Sequence, residues 1–275
     1  MPTIIISSEL AEPEKEIISG TAKSLDYKIL GPDLLKEIAS DHDIPIEQLR
    51  EALEATPAAW RWKRSKRWSY HLACIESEVL ERLKADNIVC WGLAAHLYVE
   101  GVSHALKIRL VSDRTQRVGA IAKEKNISQQ RAEKILNDEE RRRQQWSTAA
   151  FGHDELNPSL YDMVLKLGQI APDEAVQAIA SAAGYRKFKP MTYSIKNLND
   201  IALAAKVKTK LLVSLTDVSV EAMDGKVVVT SKALKRERQK KTTMIKDIAG
   251  AVEGVEYVEV HLINYVIREA AESYR

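Results

Sequence analysis

The sequence predicts an α/β protein, in which a parallel sheet flanked by helices is followed by a smaller α+β unit. A β-branched run, Thr3-Ile4-Ile5-Ile6, is typical of a buried central strand. Helical patterns then alternate with short apolar runs to about residue 185, as in layered α/β domains. From Leu198 the pattern changes, and Asp224-Gly225 between two β-rich runs predicts a hairpin.

Each element of the first unit follows from its local pattern. Apolar runs predict strands at residues 3–7, 87–92 and 105–111. Helical spacing predicts the helices, with Pro32, Pro45 or Pro172 near three of the starts and Gly184 at the last end. The helices are expected at residues 14–25, from 32, from 44, at 77–84, as a pair within 116–145 around Asn126, and at 173–183.

The second unit is predicted in the order helix-strand-strand-helix-strand. Its elements are expected at residues 198–215, 218–222, 226–230, 232–252 and 257–263. We predict domains at 1–185 and 198–265, an interdomain linker at 186–197 and a C-terminal tail at 266–275.

Composition limits the class of protein. The 275 residues are 45% hydrophobic and 29% charged, enough to bury one large core or two smaller ones. No basic start precedes the first apolar run, and no run reaches the ~20 apolar residues of a transmembrane helix. Cys74 and Cys90 indicate buried thiols rather than a disulfide framework or a metal site. We therefore expect a cytoplasmic protein with no transmembrane segment; the net charge of +2 favours no partner class.

The turn after the first strand has the layout of a phosphate-binding loop without its chemistry. Such a loop uses glycines to aim N–H groups at a phosphate, and a helix N-terminus and a Lys add positive potential. Here the turn is Ala11-Glu12-Pro13-Glu14-Lys15, which has no glycine, loses one N–H at Pro13 and places carboxylates where phosphates would lie. Like charges about 4 Å apart repel by roughly 4 kcal/mol at an effective dielectric of 20. The same residues favour a helix start, and Lys15 is expected in a solvated charge cluster.

Three segments carry a resemblance to a known family. Residues 6–17 align without gaps with Ile-Ser-Arg-Glu-Phe-Gly-Ser-Gly-Gly-Arg-Glu-Ile, and residues 92–95 align with Gly-Arg-Gly-Ala. Residues 138–165 look like a mobile lid followed by a strand entered through a Tyr-Asp-Leu segment. In these segments the chain resembles the cytidylate-kinase-like family of nucleoside monophosphate kinases, which implies a P-loop-kinase-like sheet. The chain lacks the glycines of the family's loop, which implies a degenerate Walker A loop. It also has Leu93 in place of arginine and Lys166 in place of asparagine, and together these differences imply a pseudoenzyme.

The second unit carries another resemblance. Asp224-Gly225-Lys226-Val227-Val228-Val229 and Glu253-Gly254-Val255-Glu256-Tyr257-Val258 are similar to segments of BON domains, although Ser231-Lys232 stands where a second glycine is common. The resemblance implies an interaction module for a protein partner, a lipid or a small molecule. A basic run at residues 232–241 is expected on the helix of this unit as a solvated face.

The segment 60–68 interleaves three tryptophans with five cations. It could stack bases, at about 1–3 kcal/mol per base, or hold an anionic nucleotide through Arg61, Arg64 and Arg67. Alternatively, the tryptophans pack onto the core while the cations face water. The sequence leaves these interpretations open.

Further arginines are candidate contacts for an anionic ligand. Arg109, with Arg114 and Arg117, lies near the end of a strand, where α/β folds bind ligands. Arg141, Arg142 and Arg143 lie in the lid-like segment and either reach phosphates or pair with the acids at 138–140. The sequence identifies no catalytic residue and no metal ligand.

Together these observations favour a catalytically impaired kinase-like protein with a regulatory or scaffolding role, a nucleotide as its ligand and no firmly assigned cofactor. The first alternative is an active nucleoside monophosphate kinase that uses ATP and Mg²⁺ to phosphorylate CMP or a related nucleotide. The second alternative, less favoured, is a nucleic-acid-binding protein that uses residues 60–68. The sequence does not determine the oligomeric state.

Overall fold

The computed structural model describes residues 2–8, 12–54 and 66–264, with the backbone alone at residues 12 and 13. The first unit contains a fully parallel five-stranded sheet in the order β2-β3-β1-β4-β5. Its strands are β1 (Thr3–Ser8), β2 (Lys28–Leu30), β3 (Ile88–Trp91), β4 (Ala105–Val111) and β5 (Met163–Lys166). Its helices are α1 (Glu12–Leu25), α2 (Leu34–Asp41), α3 (Ile46–Glu54), α4 (Lys66–Leu83), α5 (Ala95–Tyr98), α6 (Arg114–Glu124), α7 (Gln129–Phe151) and α8 (Pro172–Ala183).

Both faces of the central strand β1 are buried, because its side chains alternate between two cores. Ile5 packs into a core formed with α2, α3, α4, α5 and α7. Ile4 and Ile6 pack on the opposite face against α1 and α8. The predicted parallel sheet flanked by helices is therefore confirmed.

The second unit consists of α9 (Thr192–Leu212), β6 (Val218–Met223), β7 (Lys226–Ala233), α10 (Arg238–Gly250) and β8 (Tyr257–Asn264). β6 and β7 form the predicted antiparallel hairpin, and β8 pairs in parallel with β7. Asp224 and Gly225 both have positive φ, as a two-residue hairpin turn of this type requires. The predicted helix-strand-strand-helix-strand order is confirmed.

Several predicted boundaries were wrong. α4 begins at Lys66 rather than at residue 77. The basic run 232–241 begins on β7, because α10 starts only at Arg238. β2 was not predicted at all; it is a three-residue edge strand beside β3.

α9 begins at Thr192, inside the predicted linker, because its first turns are anchored to the first unit. Ser194 is fully buried, and its hydroxyl lies 2.5 Å from Nδ1 of His104. Farther along α9, Leu198 and Ala202 pack into the core around Ile5, whereas the C-terminal half packs into the second unit. The domain limits stay a prediction, and the tail 266–275 lies outside the described residues.

Two further expectations concern cysteines and membrane spans. Cys74 and Cys90 are both buried free thiols, and burial raises the pKa of each to about 12. Among the helices of the described ranges, none combines the length and apolar character needed to cross a bilayer.

Candidate functional site

The strand order places a candidate site at the carboxyl end of β1. In the strand order, β2 and β3 lie on one side of β1, and β4 and β5 lie on the other. The chain goes from β1 to β2 and β3, and then crosses β1 to reach β4. Open α/β sheets bind ligands at such a switch point, outside the carboxyl ends of the strands. α1 begins at Glu12, shortly after β1 ends at Ser8.

The first turn of α1 contributes a buried acid to this edge. Glu14 is only 9% exposed, and burial raises the pKa of its carboxyl group to about 7, against the opposing effect of Lys15. Lys15 itself is exposed. Ala11 lies outside the described residues. A carboxyl group therefore lies near the helix N-terminus, where a phosphate loop presents donors.

Arg109 contributes a buried cation beside β1. It is opposite Ser7 in the β1–β4 register, and its Nη1 donates to Ser7 Oγ at 3.0 Å and to the Tyr161 hydroxyl at 3.3 Å. The Tyr161 hydroxyl donates to the backbone carbonyl of Glu155 at 2.9 Å. Burial raises the pKa of Tyr161, although Arg109 and Ser7 oppose this. The guanidinium is thus held in place at the switch point.

A second buried charge lies next to this cluster. Glu155 is 2% exposed and accepts two hydrogen bonds of 2.5 Å from Nε and Nη2 of Arg143 on α7. Arg143 also donates to the carbonyl of Leu53 on α3 at 2.8 Å and lies 4.5 Å from the Trp146 ring. Through the bidentate pair and the bond to Leu53, Arg143 joins α7 to α3 and to the segment leading to β5.

His96 completes the cluster as a neutral ring. It stacks on Tyr161 with ring centroids 5.3 Å apart, and its Nε2 lies 3.8 Å from Glu155 Oε2 without a hydrogen-bond partner. Burial, followed by the charges of Arg109 and Arg143, lowers the pKa of His96 to about 3. A histidine with this pKa is a weak base near neutral pH.

The loop between β3 and α5 keeps a backbone that favours glycine. Gly92, Leu93 and Ala94 have φ values of +64°, +53° and +59°. The family that the chain resembles has Gly-Arg-Gly-Ala at positions 92–95. Ala94 therefore has a left-handed conformation at the position of the second glycine in that pattern. The bend is therefore formed with an alanine at its third position.

The other predicted contacts lie apart from the cluster. Arg61 and Arg64 fall outside the described residues, and Arg67 is exposed at the start of α4. Trp68, in contrast, is buried, and its Nε1 donates to the Ala52 carbonyl. Within the lid-like hairpin α6–α7, Arg114 and Arg117 pair with Glu140, Arg141 pairs with Asp138, and Arg142 is exposed.

The cluster includes residues to which sequence analysis assigned no role, namely Ser7, His96, Glu155 and Tyr161. No local pattern distinguishes Glu155, because its partner Arg143 lies twelve positions earlier in a run of three arginines. Within the described ranges, no three His, Cys, Asp or Glu side chains are grouped to hold a metal ion.

The chain is similar to several known proteins. An uncharacterized protein from Eubacterium ventriosum ATCC 27560 is 16% identical, with a TM-score of 0.47, over 68% of this chain and 100% of that one. Dephospho-CoA kinase from Campylobacter jejuni is 12% identical, with a TM-score of 0.38, over 66% of this chain and 96% of that one. No curated protein matches the chain. A model of the cytidylate kinase-like family matches residues 3–169, which is more than half of the 275 residues. The chain therefore belongs to the cytidylate kinase-like family.

Proposed function

We propose that this chain is a catalytically impaired cytidylate-kinase-like protein that binds a nucleotide in the inherited cleft and has a regulatory or scaffolding role. One observation carries the proposal: the first turn of α1, separated from the end of the central strand by three residues, is Glu12-Pro13-Glu14, and Glu14 is buried there. Residues 9–11, which precede it in the sequence, contain no glycine.

Phosphoryl transfer depends on positioning and on neutralising the charge that develops on the phosphates. Backbone N–H groups, a Lys and Mg²⁺ normally provide this neutralisation. In this chain Pro13 removes one N–H, and Glu14 repels a phosphate once the pH exceeds its raised pKa of about 7. Loss of these contacts is expected to reduce the transfer rate by several orders of magnitude.

The opposite part of the cleft supports binding. Arg109 provides a positive charge at the switch point, where its hydrogen bonds to Ser7 and Tyr161 fix its orientation. A guanidinium held in this way suits a phosphate or another planar or tetrahedral anion. Nucleotide binding without efficient turnover is therefore consistent with this cleft.

The second unit is proposed to be a BON-like interaction module. Its helix-strand-strand-helix-strand order and its Asp224-Gly225 hairpin support the resemblance. In this proposal the second unit provides the contact with a protein partner, and the first unit provides nucleotide sensing.

The test is calorimetry on the full chain with ATP and with CMP, with and without Mg²⁺, together with a coupled assay for ADP formation. We expect binding of at least one nucleotide without turnover above background. Arg109→Met is expected to weaken that binding about tenfold or more, whereas Arg141→Met, on the exposed face of α7, leaves it unchanged.

Magnesium-dependent turnover of ATP with CMP would overturn the proposed impairment and favour an active kinase. Absence of binding by every nucleotide would overturn nucleotide sensing. Steeply salt-dependent binding of an oligonucleotide, lost on substitution of Arg61 and Arg64, would instead favour the nucleic-acid alternative.

A further inference from the structure

A cavity of about 740 Å³ lies between the two units, away from the cleft described above. Its walls come from α4, α9 and the end of α7 on one side, and from β6, β7 and the start of α10 on the other. This volume lies in the range of about 300–1,000 Å³ that is typical of small-molecule sites. A ligand here would contact both units at once.

Four lysines from four different elements line this cavity, and two of them are neutralised by carboxylates. Lys208 on α9 lies 2.8 Å from Glu76 on α4. Lys232, at the end of β7, lies 3.1 Å from Asp217. These two pairs account for two of the three acids in the wall.

The other two lysines, Lys66 and Lys241, donate only to backbone carbonyls. Lys66 Nζ lies 2.5 Å from the Val213 carbonyl, and Lys241 Nζ lies 2.6 Å from the Lys232 carbonyl. In the part of the chain that the structure describes, neither ammonium group forms an ion pair. Burial lowers the pKa of Lys241, although Asp217 and the exposed Glu237 oppose this. A bound anion stabilises an ammonium group that burial has partly dehydrated, as at Lys241, and it supplies a counter-ion to the exposed Lys66.

We propose that this cavity binds the phosphate group of a phosphate ester, with Lys66 and Lys241 as its principal cationic contacts. Lysine ammonium groups bind phosphate as point charges, and these two line one cavity, Lys66 from the first unit and Lys241 from the second. Trp68, Leu72 and Phe151 form an apolar wall beside them for the organic part of the ester. This site is separate from the proposed nucleotide cleft, and its occupancy would stabilise the contact between the units.

The first experiment measures which lysines a phosphate protects. The full chain is acylated with an amine reagent, alone, with inorganic pyrophosphate, or with phosphatidylcholine vesicles that contain phosphatidic acid, and the modified lysines are quantified by mass spectrometry. We expect pyrophosphate to slow modification of Lys66 and Lys241. Lys246, exposed on α10 and outside the cavity, serves as the control.

Protection by pyrophosphate indicates a soluble ester, and protection by the acidic vesicles alone indicates a lipid headgroup. Equal protection of Lys246, or no protection by either probe, would overturn the proposal. Because this readout uses the native chain, it does not depend on whether a variant folds.

The second experiment separates this cavity from the nucleotide cleft. Lys66→Met and Lys241→Met are each expected to weaken pyrophosphate binding about tenfold, whereas Lys246→Met and Arg109→Met leave the protection of the cavity lysines unchanged. If Arg109→Met abolishes that protection while Lys241→Met does not, the probe binds in the cleft and the cavity assignment is wrong.

Discussion

The two sides of the carboxyl edge of the sheet differ in what they present to a ligand. Beside α1 the edge has a buried acid, Glu14, in the first turn of the helix, and the sequence between β1 and α1 contains no glycine. Beside β4 it has the buried cation Arg109, held by two hydroxyl groups and supported by the Arg143–Glu155 pair. A phosphate loop depends on its backbone N–H groups, and the proposed impairment needs only a few substitutions at such a turn. The cluster around Arg109 is also part of the core, where each loss costs stability.

The largest expected loss of stability comes from breaking the buried Arg143–Glu155 ion pair on the β4 side. Arg143→Met should destabilise the full chain by about 3 kcal/mol, because it leaves the Glu155 carboxylate buried without its guanidinium. This value is at the lower end for buried pairs because Arg143 is 38% exposed. Urea denaturation monitored by circular dichroism provides the measurement.

Arg141→Met is the matched control, two positions earlier on α7. Its pair with Asp138 is largely exposed, so its loss should cost at most about 0.5 kcal/mol. Equal losses in the two variants would show that burial of Glu155 does not determine the energy of the pair.

The next largest effect is a pH dependence of stability, caused by the buried Glu14 on the α1 side. Since the pKa of Glu14 is raised from 4.5 to about 7, the folded state holds a proton that the unfolded state has released between these values. The stability due to this proton is complete below pH 4.5 and is lost as the pH rises through 7. With a discount for partial solvent contact, the loss is about 2 kcal/mol.

Glu14→Gln should remove this loss, because the amide cannot ionise. We expect the variant to be more stable than the parent at pH 8 by about 2 kcal/mol and equally stable at pH 4. Glu16→Gln, on the exposed side of the same helix, is the control. A parallel pH profile for parent and Glu14→Gln would contradict the assignment of a buried acid to this turn.

A substitution in the loop after β3 is expected to increase stability, by less than Arg143→Met decreases it. Ala94 has a φ of +59°, a conformation that glycine adopts without the steric cost of a Cβ atom. Ala94→Gly is therefore expected to stabilise the chain by about 0.5–1 kcal/mol, as measured by thermal unfolding. Ala95→Gly, at the first position of α5, should destabilise it. Stabilisation by both glycines would show that the φ of Ala94 is not the cause.

The sequence was sufficient to predict elements that have a strong local pattern. The central strand, β4, the Asp224-Gly225 hairpin and the order of the second unit were all predicted correctly because their apolar periodicity and turn residues are local. β2 was missed because it has three residues, two of them exposed, and thus no alternation to detect. The first turns of α9 were assigned to a linker because their burial comes from a distant contact, that of Ser194 with His104.

The candidate site was less predictable than the fold. Arg109 was identified because it follows a strand at the expected edge. Glu155 was not, because the three arginines at 141–143 are equivalent in the sequence, and only the helix phase of α7 turns Arg143 inward and leaves Arg141 outside. Pairings over long sequence distances depend on tertiary packing, which no local signal encodes.

The smallest expected loss of stability comes from the ion pairs of Glu140 in the α6–α7 hairpin. It tests whether these pairs or Arg143 hold the hairpin in place. Arg114 and Arg117 each place an Nη1 2.9 Å from a carboxylate oxygen of Glu140. Because Arg114 is exposed and its pair with Glu140 is screened, Glu140→Gln should cost little stability, and the cost should shrink at high salt. Hydrogen exchange of the α6 amides should increase in Glu140→Gln, while amides near Glu155 keep their protection. If exchange instead increases around Glu155, the hairpin and the buried pair open together, and the Glu140 ion pairs help to hold the β4 side.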